Sequence, residues 1–193
     1  MIYLWRAFKN SQNKYIAIYD GEKSPDRYLF NCGKEVALES LNSNIIFQHK
    51  LTKRQVIQFD NIPNNSDSPL VNQKIVNALL ELSPTDVQFF DAEIRCKDGV
   101  LTNYKLLNVI STIMGLDHEK SIYNKVHGTE AILGFEYCAY KPNCMGGHQI
   151  ARNREYQSHL LVTQKIKHAF EKEKFTGIWF VTPEEWYGLL YRR

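Results

Sequence analysis

The chain has 193 residues, 44% of them hydrophobic and 12% aromatic, enough to bury a core as one domain or two closely packed lobes and too much for a disordered chain. Its formal charge of +3 is too small to imply a nucleic-acid partner unless basic residues cluster, and the tight arginine groupings, Arg152-Asn153-Arg154 and Arg192-Arg193, read as solvated surface. No run approaches the roughly 18 apolar residues of a membrane span, Trp5 and Arg6 interrupt a signal-peptide core, and Cys32, Cys96, Cys138 and Cys144 lack the close pairs of a redox or zinc motif; the expectation is a cytoplasmic protein with free thiols and no membrane partner.

In chain order, the first sixty residues predict short strands around Ile2 to Ala7, Tyr15 to Tyr19, Tyr28 to Asn31, Ile45 to His49 and Val56 to Phe59. Tyr15 to Tyr19 is apolar throughout and predicts a strand covered on both faces. Asp60 to Pro69 is dense in Asn, Ser and Pro and reads as a linker or exposed loop. It divides a β-rich region, 1–60, from a region 61–193, and the two can still form one compact domain.

Beyond it the chain contains one stretch of itself twice. Leu70 to Glu93 and Leu161 to Glu184 align without a gap, ninety-one residues apart, with about nine of twenty-four positions identical. In each copy the pattern switches from helical to strand spacing, so each reads as helix, turn, strand. Asn72 and Thr163 share one slot and both can cap a helix. Ile75, Ala78, Leu79 and Leu82 form one apolar stripe; Ile166, Ala169 and Phe170 form its counterpart, so each helix should lie on a sheet. Past Pro84-Thr85-Asp86 and Thr176-Gly177, Val87 to Phe90 and Ile178 to Val181 read as half-buried strands. Ala92 to Cys96 and Thr102 to Ile110 pair across the turn Lys97-Asp98-Gly99, and Ile132 to Tyr140 and Gln149 to Arg154 add two strands. The fold class is α+β, with mixed sheets and two pseudo-repeated helix-turn-strand units packed as closely associated lobes.

Candidate chemistry is sparse. Cys138, Cys144 and His148, with His127, carry spacings foreign to zinc sites, and Lys141 to Gly147 reads as a loop. Cys144 has no local signature of a nucleophile. Asp117 to Ser121 gathers acid, base and hydroxyl, but adjacent side chains seldom converge, so it reads as a charged turn with Asp117 as a cap. Gly146-Gly147 lacks the phosphate-loop pattern. No catalytic, metal or cofactor residue is assigned, and the protein is not expected to be an enzyme.

Leu107-Asn108-Val109, the segment Leu116 to Ser121 with Asp117, Lys120 and Ser121 as its motif residues, and the two flanking copies resemble the immunity proteins of bacterial polymorphic toxin systems. Specifically, they resemble the immunity family numbered eleven, first catalogued as a domain of unknown function. The resemblance covers about 59–186. It departs at the helix starts, where the family often has Ser and this chain has Asn72 and Thr163, both still able to cap. The resemblance implies a protein that binds a cognate toxin by surface complementarity. Tyr137, Tyr140, Lys141, Arg152, Arg154, Tyr156, Trp186 and Tyr187 fall outside the helix stripes and are the interface candidates, being of the types favoured at such contacts. Two other classes stay open: an enzyme reversing a toxin's modification, and a nucleic-acid-binding module stacking bases on its 11 Tyr and 10 Phe.

Overall fold

The computed structural model describes residues 1–7 and 13–190; Arg192 and Arg193 lie outside the described residues. The chain runs through β1 (Ile2–Ala7), β2 (Ile18–Tyr19), β3 (Ile45–Gln48), α1 (Lys53–Val56), β4 (Asn61–Ile62), β5 (Leu70–Asn72), α2 (Gln73–Leu82), β6 (Val87–Cys96), β7 (Gly99–Val109) and β8 (Thr112–Ile113). It continues through β9 (Ile122–Lys125), β10 (Ile132–Tyr137), β11 (Ile150–Asn153), β12 (Leu160–Thr163), α3 (Gln164–Lys172), β13 (Ile178–Val181) and α4 (Pro183–Leu190). One sheet has the order β2-β3-β6-β7-β5-β4, a second β13-β1-β12-β11-β8, and β9 pairs with β10 alone. The β3–β6 and β11–β8 pairs are parallel and the other strand pairs antiparallel, so the fold is α+β with mixed sheets.

Helices α2 and α3 present Ile75, Val76, Leu79, Ile166 and Phe170 to a core that also takes Tyr3, Trp5 and Val162 from the five-stranded sheet and Val71, Leu107 and Val109 from the six-stranded one. Each such side chain contributes roughly 1.5–3 kcal/mol when fully buried. The opposite face of the six-stranded sheet holds Phe47, Leu70, Phe90, Ile94, Tyr104 and Leu106 beneath Phe30 and Val56. Covered on both sides, β7 is buried throughout its C-terminal end, where Leu106, Leu107 and Val109 are apolar and the equally buried Asn108 donates to Lys34 O and Gln88 Oε1.

The two similar segments each run strand, helix, strand around a third strand. Leu70 and Phe90 both pair with Leu106, and Leu161 and Val181 both pair with Leu4. The ninety-one residues between Leu70 and Leu161 also separate Phe90 from Val181. The central strand differs in origin: β7 follows β6 through a tight hairpin, whereas β1 comes from the far end of the chain. Both helices start where the sequence places them. The Asn72 side chain accepts from the Lys74 and Ile75 amides at 3.1 and 3.3 Å. Thr163 does not cap through its side chain, because its hydroxyl donates to Gln149 Oε1 at 2.7 Å.

Several expectations need correction. Tyr28 to Asn31 is not a strand but the end of a 3₁₀ turn, Arg27–Phe30, closed by Asp26 accepting from the Tyr28 amide. Val56 to Phe59 is not a strand: Val56 ends α1, whose Thr52 and Gln55 form a capping box, and Ile57 is its C-cap. Only Ile18 and Tyr19 of the segment 15–19 form strand, and Ile18 is exposed, so that segment is not covered on both faces. Ala92 to Cys96 continues Val87 to Phe90 as one ten-residue strand. The segment 60–69 is not an exposed linker: Asn61, Ile62, Pro63, Ser66, Ser68 and Pro69 are buried. Its polar residues bond to one another and to the fold instead of to water, with Asn64 Nδ2 donating to Ile62 O and Ser68 O, and Ser68 Oγ to Phe30 O and Asn31 Oδ1. Likewise Arg152 and Asn153 are fully buried and only Arg154 of that trio is exposed.

Candidate partner-binding face

Strands β9 and β10 form a hairpin that stands on an aromatic cluster. Tyr123 pairs with Phe135, and both turn into a cluster with Leu116, Cys138 and Tyr187, edged by Ile132, Tyr140, Tyr156 and Trp186. The same hairpin leaves Ile122, Leu133 and Tyr137 at 57%, 66% and 39% exposure, with Ile122 and Tyr137 paired across the strands. Irregularities between Ile132 and Gly134 and between Phe135 and Tyr137 break strict alternation and place apolar residues on both sides.

At the centre of the cluster lies His159, fully buried. Its Nδ1 is 2.8 Å from the Tyr140 hydroxyl and its Nε2 2.7 Å from that of Tyr187. Phe135 stacks on the ring at 5.3 Å and Tyr156 meets it edge-on at 4.8 Å. Asn153 Nδ2 donates to the Tyr140 hydroxyl, which in turn can donate to Nδ1 while Nε2–H donates to the Tyr187 oxygen. Burial, and secondarily the Arg6 charge, hold the His159 pKa well below its usual value. The imidazole is therefore neutral, as one donor and one acceptor require.

This has a sign in pH. The unfolded chain takes up a proton at His159 below about pH 6.5 that the folded chain refuses, so stability is intact above that value and falls as pH drops through it, by about 1.4 kcal/mol per pH unit for one such group. His49, also lowered by burial, adds to the slope. Urea unfolding of the wild type and His159→Phe between pH 8 and 5 should show a shallower fall in the variant; parallel curves would remove His159 from this role.

Asp117, Lys120 and Ser121 fasten the segment that carries Cys138 and Tyr140. The Asp117 amide donates to Ala139 O at 2.9 Å, while Ser121 Oγ bonds both the carbonyl and the amide of Ala139 at 3.1 Å. Asp117 closes the turn by accepting from the Lys120 amide and pairing with its ammonium at 3.2 Å. Glu155 accepts from the Leu116 amide and contacts His118, whose other nitrogen meets the Tyr123 hydroxyl at 2.8 Å. The turn thus sets where the hairpin stands.

Of the interface candidates, Tyr140, Tyr156, Trp186 and Tyr187 converge on this cluster, mostly as packing, with Tyr187 buried. Trp186 stacks under the Arg6 guanidinium at 4.8 Å. Tyr137, Lys141 and Arg154 are exposed. Arg152 is corrected from a surface anchor to an internal one, because it is fully buried and its two terminal nitrogens donate to neighbouring loops. Ile122 and Leu133 are assigned to no site by the sequence, since an apolar residue in a strand pattern reads as core.

The other candidates lie apart. Cys138 sits inside the cluster, where burial pushes its thiol up to about 12. His148 Nδ1 contacts Asp86 Oδ1 at 2.7 Å, and Ser111 and Ser83 donate to the same carboxylate. That is not a catalytic triad, because both hydroxyls bond the carboxylate and neither bonds the imidazole. Among the described residues no group of three His, Cys, Asp or Glu is placed to hold a metal ion, and no helix is long and apolar enough to cross a membrane.

A comparison with curated proteins finds no match. A family model does match, that of the immunity protein family Imm11, over residues 37–185. The matched span takes in both similar segments, the hairpin and the turn from Asp117 to Ser121. With most of its length matched, this chain belongs to the Imm11 immunity protein family.

Proposed function

We propose that the protein neutralises a cognate toxin by binding it directly, with the exposed face of β9 and β10 at the centre of the contact. The observation that carries this reading is the exposure of Ile122, Leu133 and Tyr137 on one hairpin. Water-facing apolar side chains gathered in one place mark interaction surfaces. The packing of Tyr123 and Phe135 beneath holds the hairpin in shape, which lowers the ordering cost of binding. Occlusion of a toxin needs complementarity of shape and charge and no reacting group.

Co-expression with the product of the adjacent reading frame, scoring host growth and co-purification together, tests the reading. Rescue with a stable complex is the expected result, and Tyr137→Ala should weaken that complex by about 2 kcal/mol, roughly 30-fold in Kd. Rescue without a complex, at concentrations that retain a nanomolar partner, would overturn it in favour of an enzyme that reverses the toxin's modification.

A further inference from the structure

We infer that the Arg6 guanidinium, seated on Trp186, is the socket for a carboxylate side chain of the toxin. This deepens the proposed function and rests on it. Arg6 stands on β1 and is partly exposed, with its guanidinium carbon 4.8 Å from the centre of the Trp186 ring. Among the described residues its hydrogen bonding amounts to one contact, Nη1 donating to Ser158 O at 3.3 Å. Nε is enclosed without an acceptor; Nη2 has no acceptor either and is not enclosed, so it faces the outside. No ion pair among the described residues includes Arg6. Of the groups whose charges act on it, Tyr187, Tyr156, Tyr140 and Asp67, the one carboxylate makes no ion pair with it. Arg152, by contrast, directs its two terminal nitrogens at five acceptors. A guanidinium held half out of water loses hydration that a ring face and one long hydrogen bond restore only in part. Such a cation is a ready donor to a carboxylate, which it grips with parallel N–H bonds.

Position and charge select the occupant. Tyr156, two residues before Ser158, stands edge-on to Phe135 of β10 at 5.2 Å, and α4, which carries Trp186, packs on β10 as well. The socket thus adjoins the hairpin on which the toxin is proposed to sit. Arginine, tryptophan and tyrosine are also the side chains that most often anchor protein contacts. A nucleic-acid phosphate suits the place less, because it brings further phosphates with it and needs a run of cations to meet them. Here the neighbours are Glu184 and Glu185, both exposed in the first turn of α4, and Glu184 is near enough that it and Arg6 both act on the Cys138 thiol.

The test uses the full chain and an inactivated form of the toxin domain from the adjacent reading frame. Arg6→Met keeps an unbranched side chain over Trp186 and removes the charge. It is expected to weaken the complex about thirtyfold or more, as when one member of a charge pair is removed from an interface. The free variant should melt at or above the wild-type temperature, since no cation is left short of hydration; a cation placed for stability would give the opposite sign. Arg6→Lys retains the charge and loses the fork, and is expected to weaken the complex about tenfold. His159 stays neutral in both variants at neutral pH, because burial is the larger cause of its low pKa. Added salt should slow association of the wild type more than that of Arg6→Met. A Kd unchanged in Arg6→Met, or a variant melting several degrees below the wild type, overturns the inference and leaves direct binding standing. Retention of the free wild type on single-stranded DNA at physiological salt, lost in Arg6→Met, assigns the socket to a phosphate and overturns it as well. So does a free dimer, seen by light scattering, that Arg6→Met dissociates, which assigns the socket to a second copy. No complex with the wild type overturns the proposed function and the inference with it.

Discussion

Replacing Arg152 with methionine is expected to destabilise the protein by about 3–5 kcal/mol, the range for removing one partner from a buried charged network. Arg152 stands on β11 with no exposed surface. Its Nη2 reaches Asp67 O at 2.9 Å, Asn31 Oδ1 and Ser68 Oγ at 3.0 Å and Phe30 O at 3.5 Å, and its Nη1 donates to Gln157 O at 3.0 Å. The acceptors at 30–31 and 67–68 belong to loops behind the six-stranded sheet, so one side chain ties the two sheets together. Burial brings its pKa down to about 10, which keeps it charged at neutral pH. Methionine fills much of the volume but leaves those acceptors without their donor. Lysine keeps the charge and loses the fork that spans Gln157 and the Asn31–Ser68 pair, so Arg152→Lys should recover less than half of the loss. Urea unfolding of both variants measures this; a methionine variant within about 1 kcal/mol of wild type would contradict it.

Gly177→Ala is the second large effect, expected to cost roughly 2–6 kcal/mol as a positive-φ penalty added to overpacking. Gly177 has φ +79°, and a Cβ there would fall 1.9 Å from the Asn61 carbonyl oxygen. Neither partner can retreat easily. The Asn61 amide donates to Thr176 O at 3.0 Å and Asn61 Nδ2 to Gly177 O at 2.8 Å. Asp60 Oδ2 accepts from the Thr176 amide and hydroxyl, and Thr176 Oγ1 accepts from the Asp60 amide in turn. This staple holds the turn before β13 against the segment leading into β5. Thermal unfolding would show a drop of several degrees or more; a variant melting with the wild type would mean that the staple yields without cost.

Elements with a sustained period are legible in the sequence. The stripe of α2, the shorter stripe of α3 and the hairpin across Lys97-Asp98-Gly99 each announce themselves through spacing or turn chemistry. Tyr28 to Asn31 and Val56 to Phe59 do not, because so few residues carry no period and the deciding groups, Asp26 and Thr52, lie just outside them. The site is legible by residue type alone. Tyrosines and Trp186 are marked as anchors, yet whether each faces inward depends on His159 and Phe135, to which no local pattern points. Arg152 is misread as surface for the same reason: apart from Gln157, its partners are supplied by residues more than eighty positions upstream.

Strand β1 lies between β12 and β13, and Ile2 meets Thr163 while Leu4 meets Val181. Strand β1 is thus flanked by strands that lie roughly 160 and 180 residues further along the sequence, and those residues must be translated before it has a neighbour. At typical rates of about 5–20 residues per second that interval lasts on the order of ten seconds or more. Such long-range pairing is slow to form, and an unpaired apolar strand is an aggregation hazard while it waits. Until that pairing forms, Tyr3, Leu4 and Trp5, all buried in the folded chain, stay open to contact with other chains.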